Sequence, residues 1–308
     1  MEKLIVRPAP FIKSKNSATR LMEHKILMLT VLVVVGVIFT GYKSGIILAV
    51  SLLSALIFEL LYNFLVYEKK GLDDFSCVVT ALTYTCLAGS NTPWYVPIIA
   101  MFFAVVVVKM VFGGFANNMF NPAGAAVVLI VIAFTNYASF ATPIGIGFAR
   151  SPIENLANGV VEGFNIVDFF VGDVSASIGS VCATAVLICA LYLLILKVID
   201  YKMPIIAIAS YLFFALCLNE FNIDFVLPYL FSGSILFVSF FMLTDYTTSP
   251  NTSLGQIIYS MIFGVLSAIF IKINLCGEMG VVVALIIANC FTPLFDRIIR
   301  PHYFGEGK

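Results

Sequence analysis

The sequence predicts an all-α integral membrane protein: ten transmembrane helices in two inverted five-helix repeats, some of them short or broken. Three observations lead there. The 308-residue chain is 61% hydrophobic and only 11% charged, whereas a soluble domain carries about a quarter charged residues. Apolar runs recur from Ile26 almost to the C-terminus, several of them long enough to cross a hydrocarbon layer of ~30 Å. A polar turn closing an apolar run occurs at matching places in the two halves. The 17 basic and 17 acidic residues cancel, and no basic stripe suggests a nucleic-acid partner. The partner the composition requires is the lipid bilayer.

Residues 1–25, "MEKLIVRPAPFIKSKNSATRLMEHK", are polar and basic. No apolar h-region follows a short basic one, as a cleaved signal peptide needs. This stretch is expected to be a mature cytoplasmic segment. The first membrane repeat spans 26–136, with apolar segments at 26–42, 46–66, 75–89, 94–112 and 122–136. The second spans 177–296, with segments at 177–198, 203–218, 225–243, 255–272 and 280–296. The third and fifth are shorter than the ~20 residues a straight span needs, which suits broken or tilted helices inside the bundle. Residues 137–176 form the one long connection, and 297–308 form a tail.

Orientation follows from the positive-inside rule. With both ends in the cytoplasm, only Lys43, Arg150 and Lys272 of the 17 basic residues fall outside. The expected location is therefore the cell (plasma or inner) membrane, multi-pass, with cytoplasmic N- and C-termini and loop 137–176 extracytoplasmic. The seven cysteines include no C-x-x-C pair, and His24 and His302 lie in the terminal tails. No metal site is expected.

The duplication is visible in two pairs of turns. "VVTALTYTCLAGSNTP" (78–93) and "FVSFFMLTDYTTSP" (237–250) each end an apolar segment in a Thr/Ser-Pro turn. One span later come the glycine-containing turns "FGGFANNMF" and "NLCGEMGV". Five segments per half place the halves in opposite orientations, and inverted repeats of this kind carry their polar backbone and site at broken helices. Irregular backbone at membrane depth is tolerated only inside protein or along a cavity. Gly113 and Gly114 allow close approach of a flat ligand, or simply of another helix. The amides of Asn117, Asn118 and Asn121 offer donors and acceptors to ligand carbonyls and ring nitrogens. Thr244, Asp245, Thr247 and Thr248 form a second polar cluster, in which Asp245 is either a site residue or a solvated boundary charge. Asp245 and Glu278 are the carboxylates nearest the repeat turns and the candidates for a cation path.

These motifs carry a resemblance. "RPAPFIKSKNSATRLM" (7–22), "DDFSCVVTAL" (73–82), "NTPWYVPII" (91–99), "VKMVFGGFANNMFNPAGAA" (108–126), "FFMLTDYTTSP" (240–250) and "CGEMGVVVALIIANCFTPLFDR" (276–297) resemble the RnfD/NqrB family. Its members are membrane subunits of the Rnf ferredoxin:NAD oxidoreductase complex and of the sodium-pumping NADH:quinone oxidoreductase. The RnfD type is preferred, because NqrB-type chains look longer at the N-terminus. The resemblance implies a urea-transporter-like ten-helix fold, an electron-transfer role in an Na⁺- or H⁺-translocating complex, and the other Rnf subunits as partners. Little activity is expected of the subunit alone. It also implies FMN held as a phosphoester on an extracytoplasmic loop, within a pattern like S/T-G-A-T-P-L. Here "ARSPIENLANG" (149–159) stands at the expected place and aligns Ser151 with the acceptor threonine. "NYASFATPI" (136–144) has the better local pattern, with Thr142 as acceptor. Three outcomes stay open: FMN on Ser151, FMN on Thr142, or no covalent flavin. Ser151-Pro152 is equally a helix start, and Asn117, Asn118, Asn121 and Thr244 to Thr248 are expected to hold or neighbour a second, non-covalent flavin (riboflavin or FMN). The rival readings are a solute channel or transporter of the same fold, and a redox-silent scaffold of the same complex.

Overall fold

The computed structural model describes residues 18–66, 75–134, 156, 166–172, 174–231 and 234–299. It is all-helical, with no extended strand among the described residues. Helices α1 (Ala18–Thr40), α2 (Tyr42–Val66), α11 (Ser253–Lys272) and α12 (Gly280–Ile298) belong to the four stretches long and apolar enough to cross a membrane. Between them lie shorter elements: α3 (Ser76–Leu87), α4 (Tyr95–Met101) continuing as a π-helix over Phe102–Met110, and α5 (Pro122–Ala133). Then come α6 (Ile166–Val171), α7 (Ala183–Ile195), α8 (Lys202–Leu218), α9 (Val226–Phe231), and α10 (Ile235–Phe237) continuing as a π-helix over Val238–Met242. The stretches Ile223–Phe231 and Ile235–Met242 are inclined at 67° and together make a fifth, bent candidate span. This is a multi-pass membrane protein.

Why these residues pack is clearest on α2. Its buried stripe is Ser44, Ile47, Ser51, Ser54, Ala55, Glu59 and Asn63, a 3-and-4 spacing of mostly small and polar residues. Its outward face is Leu53, Ile57, Leu61, Phe64 and Leu65, all exposed. Lipid is as apolar as leucine, so small residues that permit close approach and hydroxyls that bond across helices turn inward. Ser51 and Thr85 share a hydrogen bond of 2.7 Å between α2 and α3. Helix α3 has 12 residues, nearly all buried; at 1.5 Å per residue it spans roughly 18 Å, too short to cross alone. Helix α5 begins with Asn121 as N-cap, whose side chain accepts from the Gly124 amide (3.2 Å), and with Pro122 in its first turn, an arrangement that satisfies one of the orphan amides.

Contacts between elements repeat along the chain. Helix α2 packs on α3 and on the α4–π rod; in the second half α8 packs on α9 and on α11. The α4–π rod packs on α5 as α11 packs on α12, and the two halves meet through α1 with α7 and α5 with α12. Two boundaries differ from expectation. Helix α1 starts by Ala18, so that Lys25, assigned by the sequence to a solvated tail, lies inside the bundle with 4% of its surface exposed. Residues 177–181, expected to open the sixth helix, are irregular and precede α7.

Candidate functional site

Five chain segments end together at one end of the bundle and line a partly open cleft. Met22 and Lys25 come from α1, Ser76, Val79 and Thr80 from the start of α3, and Lys109 from the last turn of the first π-helix. Phe115, Asn118 and Pro122 come from the glycine/asparagine turn, and Asp245, Tyr246 and Thr247 from the turn after the second π-helix. The two sequence motifs, far apart along the chain, are thus brought to one place. A π-helix carries one extra residue per turn and is frequent at functional sites. Both π-helices here run directly into a motif.

Asp245 organises the floor. Its carboxylate pairs with Lys25 Nζ at 3.5 Å and accepts from Thr247 Oγ1 at 3.2 Å and Asn121 Nδ2 at 3.4 Å. Its side chain keeps 20% of its surface exposed. Lys25 Nζ also lies over the Tyr246 ring, 5.2 Å from its centre, a cation–π arrangement. Tyr246 meets Phe115 edge-on at 6.2 Å, so two aromatic rings stand together at the cleft. Asn118 is 8% exposed, and its Oδ1 has no hydrogen-bond partner among the described residues. On the other wall Lys109 Nζ forms a 2.7 Å ion pair with Glu59 Oε2, each side chain 2% exposed.

The sequence-derived residues do not all reach the cleft. Asn118, Asp245 and Thr247 line it, while Asn121 touches it through Asp245 and caps α5. Gly113 and Gly114 lie to one side, with φ of +108° and +86°. These values suit glycine for conformational reasons, and Asn117, exposed, closes the same turn by donating from Nδ2 to the Gly113 carbonyl (3.2 Å). A Cβ on Gly114 would meet none of the described residues within 4 Å. Thr244 bonds back to the Phe240 carbonyl (2.7 Å). Thr248 is buried, its Oγ1 without a partner among the described residues and its carbonyl accepting from Thr292 at 2.9 Å. Ser151 and Thr142 lie outside the described residues.

Glu278 is at the other end of the bundle, 1% exposed. It accepts from the Ser177 amide (3.0 Å), Ser177 Oγ (2.9 Å) and Ser180 Oγ (2.8 Å). The same segment donates from Ile178 N to the Ala88 carbonyl (3.1 Å) and from Gly179 N to that of Cys86 (2.7 Å), closing the end of α3. A Cβ on Gly179 would collide with the Cys86 side chain.

The family model described as "NQR2, RnfD, RnfE family" matches residues 5–305. The chain belongs to the NQR2, RnfD, RnfE family. Three relatives, each named as a subunit of an ion-translocating complex, align with it over nearly their whole length. The one from Acetobacterium woodii, of an Na(+)-translocating ferredoxin:NAD(+) oxidoreductase complex, is 29% identical over 99% of this chain and 96% of the relative. The one from Clostridium ljungdahlii, of a proton-translocating ferredoxin:NAD(+) oxidoreductase complex, is 26% identical over 98% of this chain and 96% of the relative. The one from Vibrio cholerae, of an ion-translocating oxidoreductase complex, is 25% identical over 98% and 99%. Within this NQR2, RnfD, RnfE chain, sequence reading passed over Lys25, Lys109 and Glu59. Glu59 and Lys109 carried a usable signal: each is a charge within a predicted apolar segment, and such a charge is a functional candidate by default. Lys25 carried none, because it sits beside genuinely polar tail residues.

Proposed function

We propose that the chain is the flavin-carrying membrane subunit of an ion-translocating ferredoxin:NAD oxidoreductase complex, assembled with the other Rnf subunits, and that the cleft holds its non-covalent flavin, riboflavin or FMN. The observation that carries the reading is Asn118: a buried amide whose Oδ1 lacks a donor among the described residues, in the wall of a cleft with two aromatic rings. Leaving such an acceptor unpaired costs about 1–3 kcal/mol, so a ligand N–H is its natural partner. An imide edge, with an N–H between two carbonyls, matches the acceptor and donors of a primary amide. Tyr246 and Phe115 offer faces and edges to a flat ring, and Thr247 offers a hydroxyl. The flavin, when bound, supplies the electron chemistry.

Asp245 is the better of the two carboxylates for a cation path, since it borders the open cleft, where its carboxylate has polar contact with Lys25, Asn121 Nδ2 and Thr247 Oγ1 alone among the described residues. Glu278 is fully engaged at the opposite end. The relatives' names include both Na⁺ and proton, and the coupling ion here is one of these two. Ten membrane segments in two inverted repeats fit the parallel packing of α2 on the α4–π rod and of α8 on α11. With the termini cytoplasmic, the cleft opens to the cytoplasm and loop 137–176 lies outside. Covalent FMN then sits on Ser151 or Thr142.

Two measurements test this. The purified complex should absorb near ~450 nm and release a flavin on denaturation, since the flavin carries the electron chemistry; a colourless complex leaves the transporter or scaffold reading. A fluorescent band at the subunit's mass on a denaturing gel reports the phosphoester. Ser151→Ala should abolish it and Thr142→Ala spare it, and the reverse would move the attachment to Thr142. A cysteine at Asn158 in a thiol-free chain should label in intact cells with an impermeant reagent. Labelling only after lysis overturns the orientation.

A further inference from the structure

Two side chains behind the cleft are buried with a polar atom unsatisfied. Thr248, 1% exposed, follows directly on the cleft residues Asp245, Tyr246 and Thr247; Asn289, 0% exposed, sits at the middle of α12. Thr248 Oγ1 and Asn289 Nδ2 have no hydrogen-bond partner among the described residues. The remaining bonds of these residues bring them to one place. The Thr248 amide donates to the Asp245 carbonyl (3.2 Å), and the Thr248 carbonyl accepts from Thr292 Oγ1 (2.9 Å). Thr292 comes three residues after Asn289 in α12, a spacing that puts both on one side of the helix. Asn289 Oδ1 accepts from the hydroxyl of Tyr259 in α11 (2.5 Å), and that buried hydroxyl stands within electrostatic reach of Asp245. The Asp245 turn, α11 and α12 thus share one buried polar cluster. Whichever way the Asn289 amide is turned, Tyr259 engages one of its two polar atoms and leaves the other. Dry, both leftover groups would carry the full desolvation cost of an unmade hydrogen bond.

We propose that Thr248 and Asn289 bind ordered water between them, at a site distinct from the cleft, and that this water pins the turn carrying Asp245, Tyr246 and Thr247 to α12. Water is the ligand these groups fit. A buried water takes two to four polar partners; the Thr248 hydroxyl can donate and accept, and the Asn289 amide supplies a second partner. A bridging water is nearly as good enthalpically as a direct hydrogen bond, so it ties the turn to the helix where no direct side-chain bond does. The water acts on the wall behind the turn, so its role is the same whether the cleft takes a flavin or a solute.

The test uses the assembled complex in detergent. Thr248→Val removes the hydroxyl and nearly keeps the shape. For a dry hydroxyl that change is neutral or stabilising, because an unpaired group is gone. For a water-bonded one it lowers the unfolding temperature and lets the amides of the Asp245 turn exchange with deuterium up to about tenfold faster, the factor that accompanies loss of one buried hydrogen bond. The second result is expected, with Thr248→Ser restoring both readings. In a Tyr259→Phe/Asn289→Leu background, which removes the other side of the cluster without stranding the tyrosine hydroxyl, Thr248→Val should have lost its effect, since groups that share a partner are not additive. Thr248→Val without effect in the otherwise wild-type chain overturns the proposal. Equal losses in both backgrounds overturn it too, because the hydroxyl would then have a partner of its own. If the double-variant background does not assemble, a density map of the wild-type complex that resolves ordered water elsewhere in the bundle decides. A peak within hydrogen-bonding distance of both Thr248 Oγ1 and the Asn289 amide upholds the site, and its absence from such a map overturns it.

Discussion

The two ends of the bundle are built on one plan and put to different use. Each places a polar residue just ahead of the final helix of its half: Asn121 before α5, Glu278 before α12. Each lets an irregular or helical lead-in close the end of a broken helix from the other half. At the Asp245 end the lead-in is α1, bringing Lys25 to the turn after the second π-helix. At the Glu278 end it is residues 177–180, bonded to the end of α3. The outcomes diverge in satisfaction. Asp245 stays 20% exposed beside an amide oxygen that none of the described residues bonds; Glu278 is 1% exposed and takes three donors. A fully bonded buried carboxylate works as a staple, whereas a partly bonded one next to an orphaned acceptor leaves room for a ligand. Corresponding ends of the two halves thus form a joint at one end of the bundle and a candidate binding site at the other.

The sharpest way to break this contrast is at Glu278. Glu278→Ala strips three donors of their acceptor, and hydrogen bonds to charged groups contribute about 1.5–3 kcal/mol each. The expected result is failed assembly or a large drop in the unfolding temperature in detergent, with Glu278→Gln in between. A Gln variant of wild-type stability that no longer translocates ions would turn the staple into part of the ion path. Asp245→Asn comes next. It should cut electron transfer from ferredoxin to NAD about tenfold or more in assembled complex, because Lys25 is left nearly buried without its anion and an uncompensated charge of this kind costs roughly 3–5 kcal/mol at full burial. Adding Lys25→Met should recover stability but not turnover; recovery of both would make the pair purely structural. Asn118→Leu should weaken flavin retention about tenfold, equivalent to ~1.4 kcal/mol, with little change in unfolding temperature. Unchanged retention would take Asn118 out of the site. The smallest effect is expected at the glycines. Gly114→Ala meets open space and carries only the cost of a left-handed residue, roughly 1–2 kcal/mol. Gly113→Ala should cost somewhat more, since its Cβ would stand 3.1 Å from Asn117 Nδ2. If Gly114→Ala abolishes flavin binding in a stable complex, the cleft extends further than its present walls.

Much of the site was legible because its chemistry is concentrated in two short motifs. Asn118, Asp245 and Thr247 stand out in sequence as polar groups interrupting apolar runs, and they do line one cleft. Other members of the same motifs turned out to serve the backbone: Asn117 closes its turn, Asn121 caps α5 and Thr244 bonds one turn back. A residue type announces hydrogen-bonding capacity but not whether that capacity is spent locally, and local spending is the commonest fate of Asn and Thr near helix ends.

By itself the sequence determined that this protein lives in a membrane, roughly where its helices begin and end, which turns are polar and which family it resembles, because hydropathy, capping residues and motifs are local properties. Tertiary structure decided which charges meet. Glu59 finds Lys109 across α2 and the π-helix, Lys25 finds Asp245 from the far end of the chain, and Glu278 finds Ser177 and Ser180. No periodicity announced these pairings, for a physical reason. In lipid the outward face of a helix is apolar and the inward face mixes apolar residues with small and polar ones, so the hydropathy contrast that tells core from solvent in a soluble protein is weakened, and an inward polar residue does not name its partner. What remains to orient each helix is the need of a few buried polar groups to satisfy one another, and that is settled only when the helices are together.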